Sequence, residues 1–135
     1  MKKITRKKHL EMRLQSVPAH PNPDVSLEQY TTPSVIASDL MWNAYSLGDI
    51  VDKYIIDLGC GTGIFAVASA LLGANSAVGV DIDNDSIELA REVSLKFDLD
   101  NVNYIESDVC DFSYSGNADT VFQHPPFGSQ KKAEH

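Results

Sequence analysis

The stretch from Tyr54 to Ile64 reads Y-I-I-D-L-G-C-G-T-G-I, and it decides the fold. Its first three residues are apolar and largely β-branched, which is typical of a buried parallel strand. Glycines follow at alternate positions, and an apolar helix is predicted to begin near Ile64. Glycine lets a backbone turn sharply and approach a ligand, and a helix start offers free N–H donors. The pattern predicts a nucleotide-type site at the carboxyl edge of an open α/β sheet.

The spacing of the glycines narrows the choice of ligand. A dinucleotide loop needs G-x-G-x-x-G, whereas Gly59, Gly61 and Gly63 follow one another two residues apart. Asp57, directly before the loop, suits a cationic group better than a pyrophosphate. S-adenosyl-L-methionine (SAM) carries an ammonium and a sulfonium group, so it is the predicted cofactor. The alternative is a glycine-rich turn that binds nothing.

Length and composition exclude several classes of protein. At 135 residues the chain makes one domain at most. It holds no apolar run near the ~20 residues that span a bilayer, and no signal peptide, so no membrane partner is expected. Cys60 and Cys110 make neither a disulfide framework nor a metal set, which indicates reduced thiols, a cytoplasmic location and no metal.

The charges are distributed unevenly along the chain. Residues 1–15 hold six basic residues and one acidic residue, whereas the remainder holds five basic and eighteen acidic residues. The first segment is expected to attract a phosphate backbone and the body to repel one. The alternative is a solvated helix face that offsets the acidic body.

The N-terminal part of the chain reads as two helices separated by a linker. Residues 7–17 have apolar side chains at helical spacing, and three prolines then force an extended segment. A second helix is predicted with Thr32 as its N-cap and Gly48 at its end. Its buried face is expected to consist of Ile36, Leu40, Ala44 and Leu47. The predicted division is a basic helix and linker in residues 1–26 and a SAM-binding domain in residues 27–135.

Three further strands are predicted, over residues 77–80, 102–105 and 118–122. Asp81 ends the first of them about 20 residues after the loop, which is the place for a carboxylate that accepts ribose hydroxyls. The alternative is that Asp81 only starts the next helix. The same segment imitates a calcium loop, but Ser86 stands where an EF-hand needs glycine, so a continuous helix is expected. Asp108, after the third strand, is a candidate acceptor for an adenine amino group.

Several motifs together resemble one family. The order L-E-Q-Y-T-T-P, D-L-G-C-G-T-G, V-D-I-D, S-D-V and H-P-P-F-G resembles the archaeal predicted RNA methylases. Their eukaryotic relative methylates the N6 of one adenine in small-subunit ribosomal RNA. The resemblance covers nearly the whole chain. It implies a Rossmann-like class I SAM-dependent methyltransferase, an α/β fold with helices on both faces and a sheet in the order 3-2-1-4.

The resemblance also implies roles for particular residues. A catalytic motif would be formed by His124, Pro125, Pro126 and Phe127, with Phe127 stacking on a flipped-out base. RNA would be bound by Lys2, Lys3, Arg6, Lys7 and Lys8. The cofactor would contact Gln29, Thr32, Asp57, Gly59, Cys60, Gly61, Thr62, Ile64, Asp81, Ile82, Asp108 and Val109.

The sequence departs from the family pattern in two places. The family reads Asn-Pro-Pro-Phe where this chain has His124 first. The asparagine oxygen accepts a hydrogen bond from the target amine, and a misplacement of ~1 Å costs about 100-fold in rate. The family sheet has seven strands, and four are found here, so the chain is expected to be truncated after the fourth. Its exposed edge would then be available for self-association.

The predicted function is therefore methyl transfer to the N6 of an adenine in structured RNA, and the expected substrate is ribosomal RNA. Two alternatives stay open. One is a SAM-binding module that is catalytically weak or silent because of His124 and the short sheet. The other is a methyltransferase for protein glutamine or for adenine in DNA, since x-P-P-[FY] motifs also present those nitrogens. The family further implies a small zinc-binding activator protein.

Overall fold

The computed structural model describes residues 4–19, 32–112, 116 and 118–123. Four helices and four strands lie within them: α1 (Lys7–Leu14), α2 (Ser34–Ser46), β1 (Tyr54–Leu58), α3 (Ile64–Leu71), β2 (Ser76–Asp81), α4 (Asn84–Lys96), β3 (Val102–Glu106) and β4 (Thr120–Gln123). None of the helices in these ranges has the length and apolarity to cross a membrane.

The strands form one parallel sheet in the order β3-β2-β1-β4, which confirms the predicted order. Leu58 at the end of β1 lies opposite Val80 of β2 and opposite Gln123 of β4. Because the strands are parallel, their carboxyl ends meet at one edge. The glycine loop after β1 therefore lies between the ends of two neighbouring strands, at the kind of edge where open α/β sheets bind ligands.

Helix α3 is the centre of the core. All eight of its residues are buried, which explains why its sequence is apolar almost all round. It packs on β1 and β2, and the Phe65 ring stacks on Phe122 of β4 with 5.7 Å between the ring centroids. The start of α3 is consequently fixed against the sheet just beyond the glycine loop.

Helix α1, in the predicted basic segment of residues 1–26, packs in the same core through its apolar face. Ile4, Leu10, Leu14 and Val17 are all buried in the cluster that contains α3. The helix ends at Leu14, and the residues up to Val17 continue as a turn in which Val17 N–H donates to the Leu14 carbonyl. The Lys7 ammonium lies 2.7 Å from Asp39 of α2.

The predicted buried face of α2 was wrong at three of its four residues, and the fourth, Ala44, is partly buried against the core. Ile36, Leu40 and Leu47 are exposed, and the helix instead buries Ala37, Ser38 and Met41 against α1 and α3. The helix is apolar on more than one side, so its periodicity did not determine which side faces the core. The N-cap is Pro33 rather than Thr32, and Gly48 follows the helix end with φ of +85°, as predicted.

Helix α4 runs without a break from Asn84 to Lys96, as predicted from its apolar spacing. Ile87, Ala90 and Ser94 form its buried face. Asp83 is its N-cap, and the Asp83 carboxylate accepts a hydrogen bond from the Ser86 hydroxyl at 2.7 Å. The segment that imitated a calcium loop is therefore mostly helical.

Replacing Leu10 by alanine tests whether α1 is part of the core. Leu10 is 0% exposed, so the truncation should lower the free energy of unfolding by about 2–5 kcal/mol. Met12 on the same helix is 58% exposed, and Met12→Ala should change the free energy of unfolding by less than about 0.5 kcal/mol. Urea unfolding measures both. Equal effects of the two changes would show that α1 is not docked.

Candidate functional site

The amides of the glycine loop are bonded within the protein. The N–H groups of Gly59 and Cys60 both donate to the Val80 carbonyl, at 2.7 and 3.0 Å, and Gly63 N–H donates to the Cys60 carbonyl at 2.9 Å. Gly61 N–H donates to Asp81 Oδ2 at 2.8 Å. A phosphate-binding loop directs such donors at its ligand. This loop directs three of these donors at β2 and the fourth at its own Cys60 carbonyl, which agrees with a ligand other than a pyrophosphate.

Asp81 joins three segments at the carboxyl edge of the sheet. Its Oδ1 accepts from Asp83 N–H at 2.9 Å, its Oδ2 accepts from Gly61, and its backbone carbonyl accepts from Ser107 N–H at 2.9 Å. A carboxylate has about four lone-pair sites, so two backbone donors leave acceptor capacity. The structure thus brings Asp81 against the glycine loop, and its contact with a ribose stays a prediction.

The loop lies over negative charge. Asp57 is fully buried at the carboxyl end of β1, between Gly79 and Phe122 in the sheet register. Burial raises the pKa of the Cys60 thiol, and the carboxylates of Asp57 and Asp81 raise that pKa further. Cys60 is therefore a neutral packing group and not a nucleophile. The acidic surroundings favour a cationic ligand over an anionic one.

Tyr104 supports the loop from below, and the sequence analysis missed it. Its hydroxyl lies 2.9 Å from Ser94 Oγ of α4, and burial raises the pKa of the phenol. A Cβ on Gly63 would lie 2.9 Å from the Tyr104 hydroxyl oxygen, and one on Gly79 would lie 2.7 Å from Tyr104 Cδ1. Gly79, a glycine inside a strand, was the available signal for such a close approach.

A cavity of about 280 Å³ opens beside the loop. Small-molecule sites usually measure about 300–1,000 Å³, so this one suits part of a ligand. It brings together two predicted cofactor residues, Thr32 and Ile64. The remaining lining residues are Leu14, Gln15, Val17, Ala19, Pro33 and Ser34. The third predicted residue nearby, Thr62, donates its hydroxyl to the Pro18 carbonyl at 2.7 Å.

The residues predicted on the adenine side lie at the next strand ends. Ile82 is exposed beside Asp81. Asp108 is exposed and Val109 half-buried in the turn after β3. The Asp108 carboxylate accepts from Cys110 N–H at 2.9 Å, and the bond from Ser107 to the Asp81 carbonyl holds this turn next to β2. The adenine contacts themselves stay predictions.

Several predicted site residues lie outside the described part of the chain: Lys2, Lys3, Gln29, His124, Pro125, Pro126 and Phe127. Gln123, the last described residue of β4, pairs with Leu58, the residue before Gly59. The described part of β4 therefore ends next to the glycine loop.

The predicted RNA-binding cations of α1 are partly engaged with the protein itself. Arg6 is exposed, whereas Lys7 pairs with Asp39 and Lys8 lies 3.6 Å from Glu11. The bond to Asp39 raises the pKa of Lys7. The Lys7–Asp39 pair is solvent-exposed on both sides, and such pairs are weak enough to exchange partners, whereas the Glu11 side chain is only 16% exposed. Their role in RNA binding stays a prediction.

Comparison with known proteins places this geometry in a family. The model of ribosomal protein L11 methyltransferase (PrmA) matches residues 41–122. The chain is 42% identical to the uncharacterised protein MJ0284 of Methanocaldococcus jannaschii, covering 96% of this chain and 62% of that protein. It is 38% identical to the rRNA N(6)-adenosine-methyltransferase METTL5 of Danio rerio, covering 91% and 61% respectively. The chain thus spans less than two thirds of these relatives.

Solved structures agree with the fold. PH1948 from Pyrococcus horikoshii, a proposed RNA methyltransferase, superimposes with a TM-score of 0.82 and 41% identity, over 94% of this chain and 61% of that one. An RNA methyltransferase from Salinibacter ruber, in complex with S-adenosyl-L-homocysteine, superimposes with a TM-score of 0.60 and 27% identity. The match covers 77% of this chain and 67% of that one. The α/β sheet described above is that of a class I SAM-dependent methyltransferase, which confirms the predicted fold.

Replacing Gly63 by alanine tests the close packing of Tyr104 against the loop. Gly63 and Gly73 both have left-handed backbones, with φ of +94° and +100°, but a Cβ on Gly73 would meet nothing within 4 Å. Gly73→Ala should therefore cost only the conformational term of about 1–2 kcal/mol. Gly63→Ala should cost about 1–3 kcal/mol more through overpacking. Urea unfolding measures the difference, and equal costs would contradict the packing described.

Proposed function

The chain belongs to the methyltransferase family that the ribosomal protein L11 methyltransferase (PrmA) model describes, and on this premise we propose its activity. It is a SAM-dependent enzyme that transfers a methyl group to the exocyclic N6 of an adenine in structured RNA, and ribosomal RNA is its substrate class. The relatives of known activity are longer than this chain, so the proposal concerns what residues 1–135 contribute.

The hydrogen bond from Gly61 to Asp81 is the observation that carries the cofactor assignment. It brings the acidic end of β2 against a glycine loop whose neighbouring amides are turned toward β2. A carboxylate in this place suits ribose hydroxyls, and the buried Asp57 suits the ammonium of the methionine part. The Salinibacter ruber enzyme, crystallised with S-adenosyl-L-homocysteine, supports the same assignment.

The extent of the similarities favours RNA over protein as the substrate. The PrmA model begins at residue 41, inside α2, and so leaves out the whole N-terminal segment. The similarity to METTL5 covers 91% of the chain. The similarity to the methylase of ribosomal RNA therefore extends well beyond the residues that the PrmA model matches. The basic residues near the start of the chain suit a phosphate backbone.

The proposed mechanism rests on positioning by the motif that follows β4. SAM supplies an activated methyl group when it is bound. Phe127 stacks on the extruded base, and His124 and the Pro125 carbonyl accept hydrogen bonds from the adenine amine. These contacts turn the nitrogen lone pair toward the methyl group, so the chain contributes orientation rather than a covalent step. A neutral imidazole offers one acceptor for this task.

Two alternatives compete with this proposal. His124 in place of asparagine favours a SAM-binding module with weak or no activity. The PrmA match favours a methyltransferase acting on protein, including protein glutamine, and an x-P-P-F motif is also compatible with adenine in DNA. Two measurements separate these possibilities: whether the chain binds SAM, and which of RNA, DNA or protein receives the methyl group.

The proposal extends to partners and location. Among the described strands, β3 and β4 form the two edges of the sheet, and an edge strand offers unpaired backbone groups to another chain. A small zinc-binding activator protein or a second copy of this chain are the partners we propose for these edges. Cys60 and Cys110 are both free thiols, which supports a reducing, cytoplasmic location.

Titration with SAM, followed by transfer of its tritiated methyl group, tests the function. The chain should bind SAM with one-to-one stoichiometry and label ribosomal RNA in preference to DNA or protein. Asp81→Asn should weaken SAM binding by about tenfold to 100-fold, because it removes a charged acceptor. Asp85→Asn, at an exposed position on α4, is the control and should change little. A folded chain that binds no SAM would overturn the proposal, and binding without transfer would favour the silent module.

A second prediction concerns His124. His124→Asn should raise the rate of methyl transfer to RNA by up to about 100-fold, because the family's acceptor geometry is restored. SAM affinity should stay the same. His9→Asn, on α1, is the matched control. A variant with equal or lower turnover would show that histidine is suited to this site.

A further inference from the structure

A buried hydrogen bond ties the glycine loop to the N-terminal part of the chain. Thr62, between the second and third glycines of the loop, is 4% exposed, and its Oγ1 donates to the Pro18 carbonyl. The distance of 2.7 Å is typical of a good O–H···O bond. This bond uses the only proton of the hydroxyl, so the Thr62 side chain has no donor left for a ligand.

Pro18 belongs to a short stretch that we call the wall segment, residues 15–19. Its position is determined from both sides. Leu14 and Val17 are buried in the main core, and the backbone bonds from Ser16 to Arg13 and from Val17 to Leu14 keep the turn compact after α1. The bond from Thr62 then attaches its far end to the glycine loop. The segment is therefore part of the site's architecture.

The wall segment forms one side of the cavity beside the loop. Gln15, Val17 and Ala19 line that side, and Thr32 and Ile64 lie among the residues that line the rest. The cavity is smaller than the range usual for a whole ligand of the size of SAM. It is large enough for one arm of such a ligand, and the buried Asp57 lies at the end of the strand that leads into the loop.

We propose that the wall segment closes the side of the cofactor site that holds the methionine arm of SAM, and that Thr62 is the positioning residue that keeps it there. This inference rests on the proposed function. Thr62 then acts through Pro18, because its hydroxyl is committed to the backbone of the wall segment. The wall segment continues directly from α1, so the position of the basic helix and the affinity for the cofactor are linked. The link works in both directions: binding of SAM stabilises the docked position of α1, and docking of α1 raises the affinity for SAM.

Three variants test the proposal by isothermal titration and stopped-flow dissociation of SAM. Thr62→Val keeps the shape and removes the hydroxyl, so SAM affinity should fall about threefold to tenfold, mainly through faster dissociation. Thr62→Ser keeps the donor and should retain affinity within about twofold. Ser69→Ala is the matched control, since it removes a buried hydroxyl bond to the Phe65 carbonyl on the adjoining helix. It should leave SAM binding unchanged.

Hydrogen exchange gives a readout that a purely structural role of Thr62 would not move. In the unsubstituted protein, SAM should slow exchange of the amides of residues 15–17 and 19 by at least threefold. In Thr62→Val that SAM-dependent slowing should disappear, whereas in Ser69→Ala it should persist. Two results would overturn this inference and leave the proposed function standing. One is that Thr62→Val binds SAM as tightly as the unsubstituted protein does, and the other is that SAM does not slow exchange of these amides. An unsubstituted chain that binds no SAM would overturn the proposed function and this inference with it.

Discussion

The attachment of the glycine loop to the end of β2 is the constraint on which the rest of the site depends. Two successive amides of the loop share the Val80 carbonyl, and the next one reaches the Asp81 carboxylate. These bonds hold the loop against the end of β2 directly after β1 ends. They also place Asp81 against the loop before any ligand arrives, so little reorganisation is needed on binding.

The loop is held from below as well as from the side. Tyr104 fills the space that Gly63 and Gly79 leave, and its hydroxyl is fixed by Ser94 of α4. The early third glycine, which separates this loop from a dinucleotide fingerprint, thus has a packing reason. Its φ of +94° and the nearby phenol both exclude a side chain. The glycine at position 63 is therefore required by the packing of Tyr104, and its spacing also distinguishes this loop from a dinucleotide-binding loop.

The N-terminal segment has two faces with different tasks. Its apolar side chains complete the core that α3 forms with the sheet, and its cations lie toward solvent or pair with carboxylates such as Asp39. Because the chain leaves α1 and runs past the loop, the residues that follow this helix line the cavity beside the candidate site. The basic segment is thereby packed against the acidic body through α2 and α3.

The sequence by itself determined that the fold is an α/β sheet of four strands, because strand periodicity and the loop glycines are local signals. The strand order was implied by the family resemblance, and the structure confirms it. The sequence also determined the choice of SAM over a dinucleotide, since the spacing of the glycines and the acidic Asp57 before them are features of the sequence alone. Only the tertiary structure decided which face of α2 is buried. Ile36 and Ala37 are both apolar, so the sequence allows either face, and packing against α1 and α3 buries the one that contains Ala37. The tertiary structure alone decided that Thr62 bonds to Pro18 and that Tyr104 supports Gly63, because contacts between residues so far apart in sequence depend on how the elements pack.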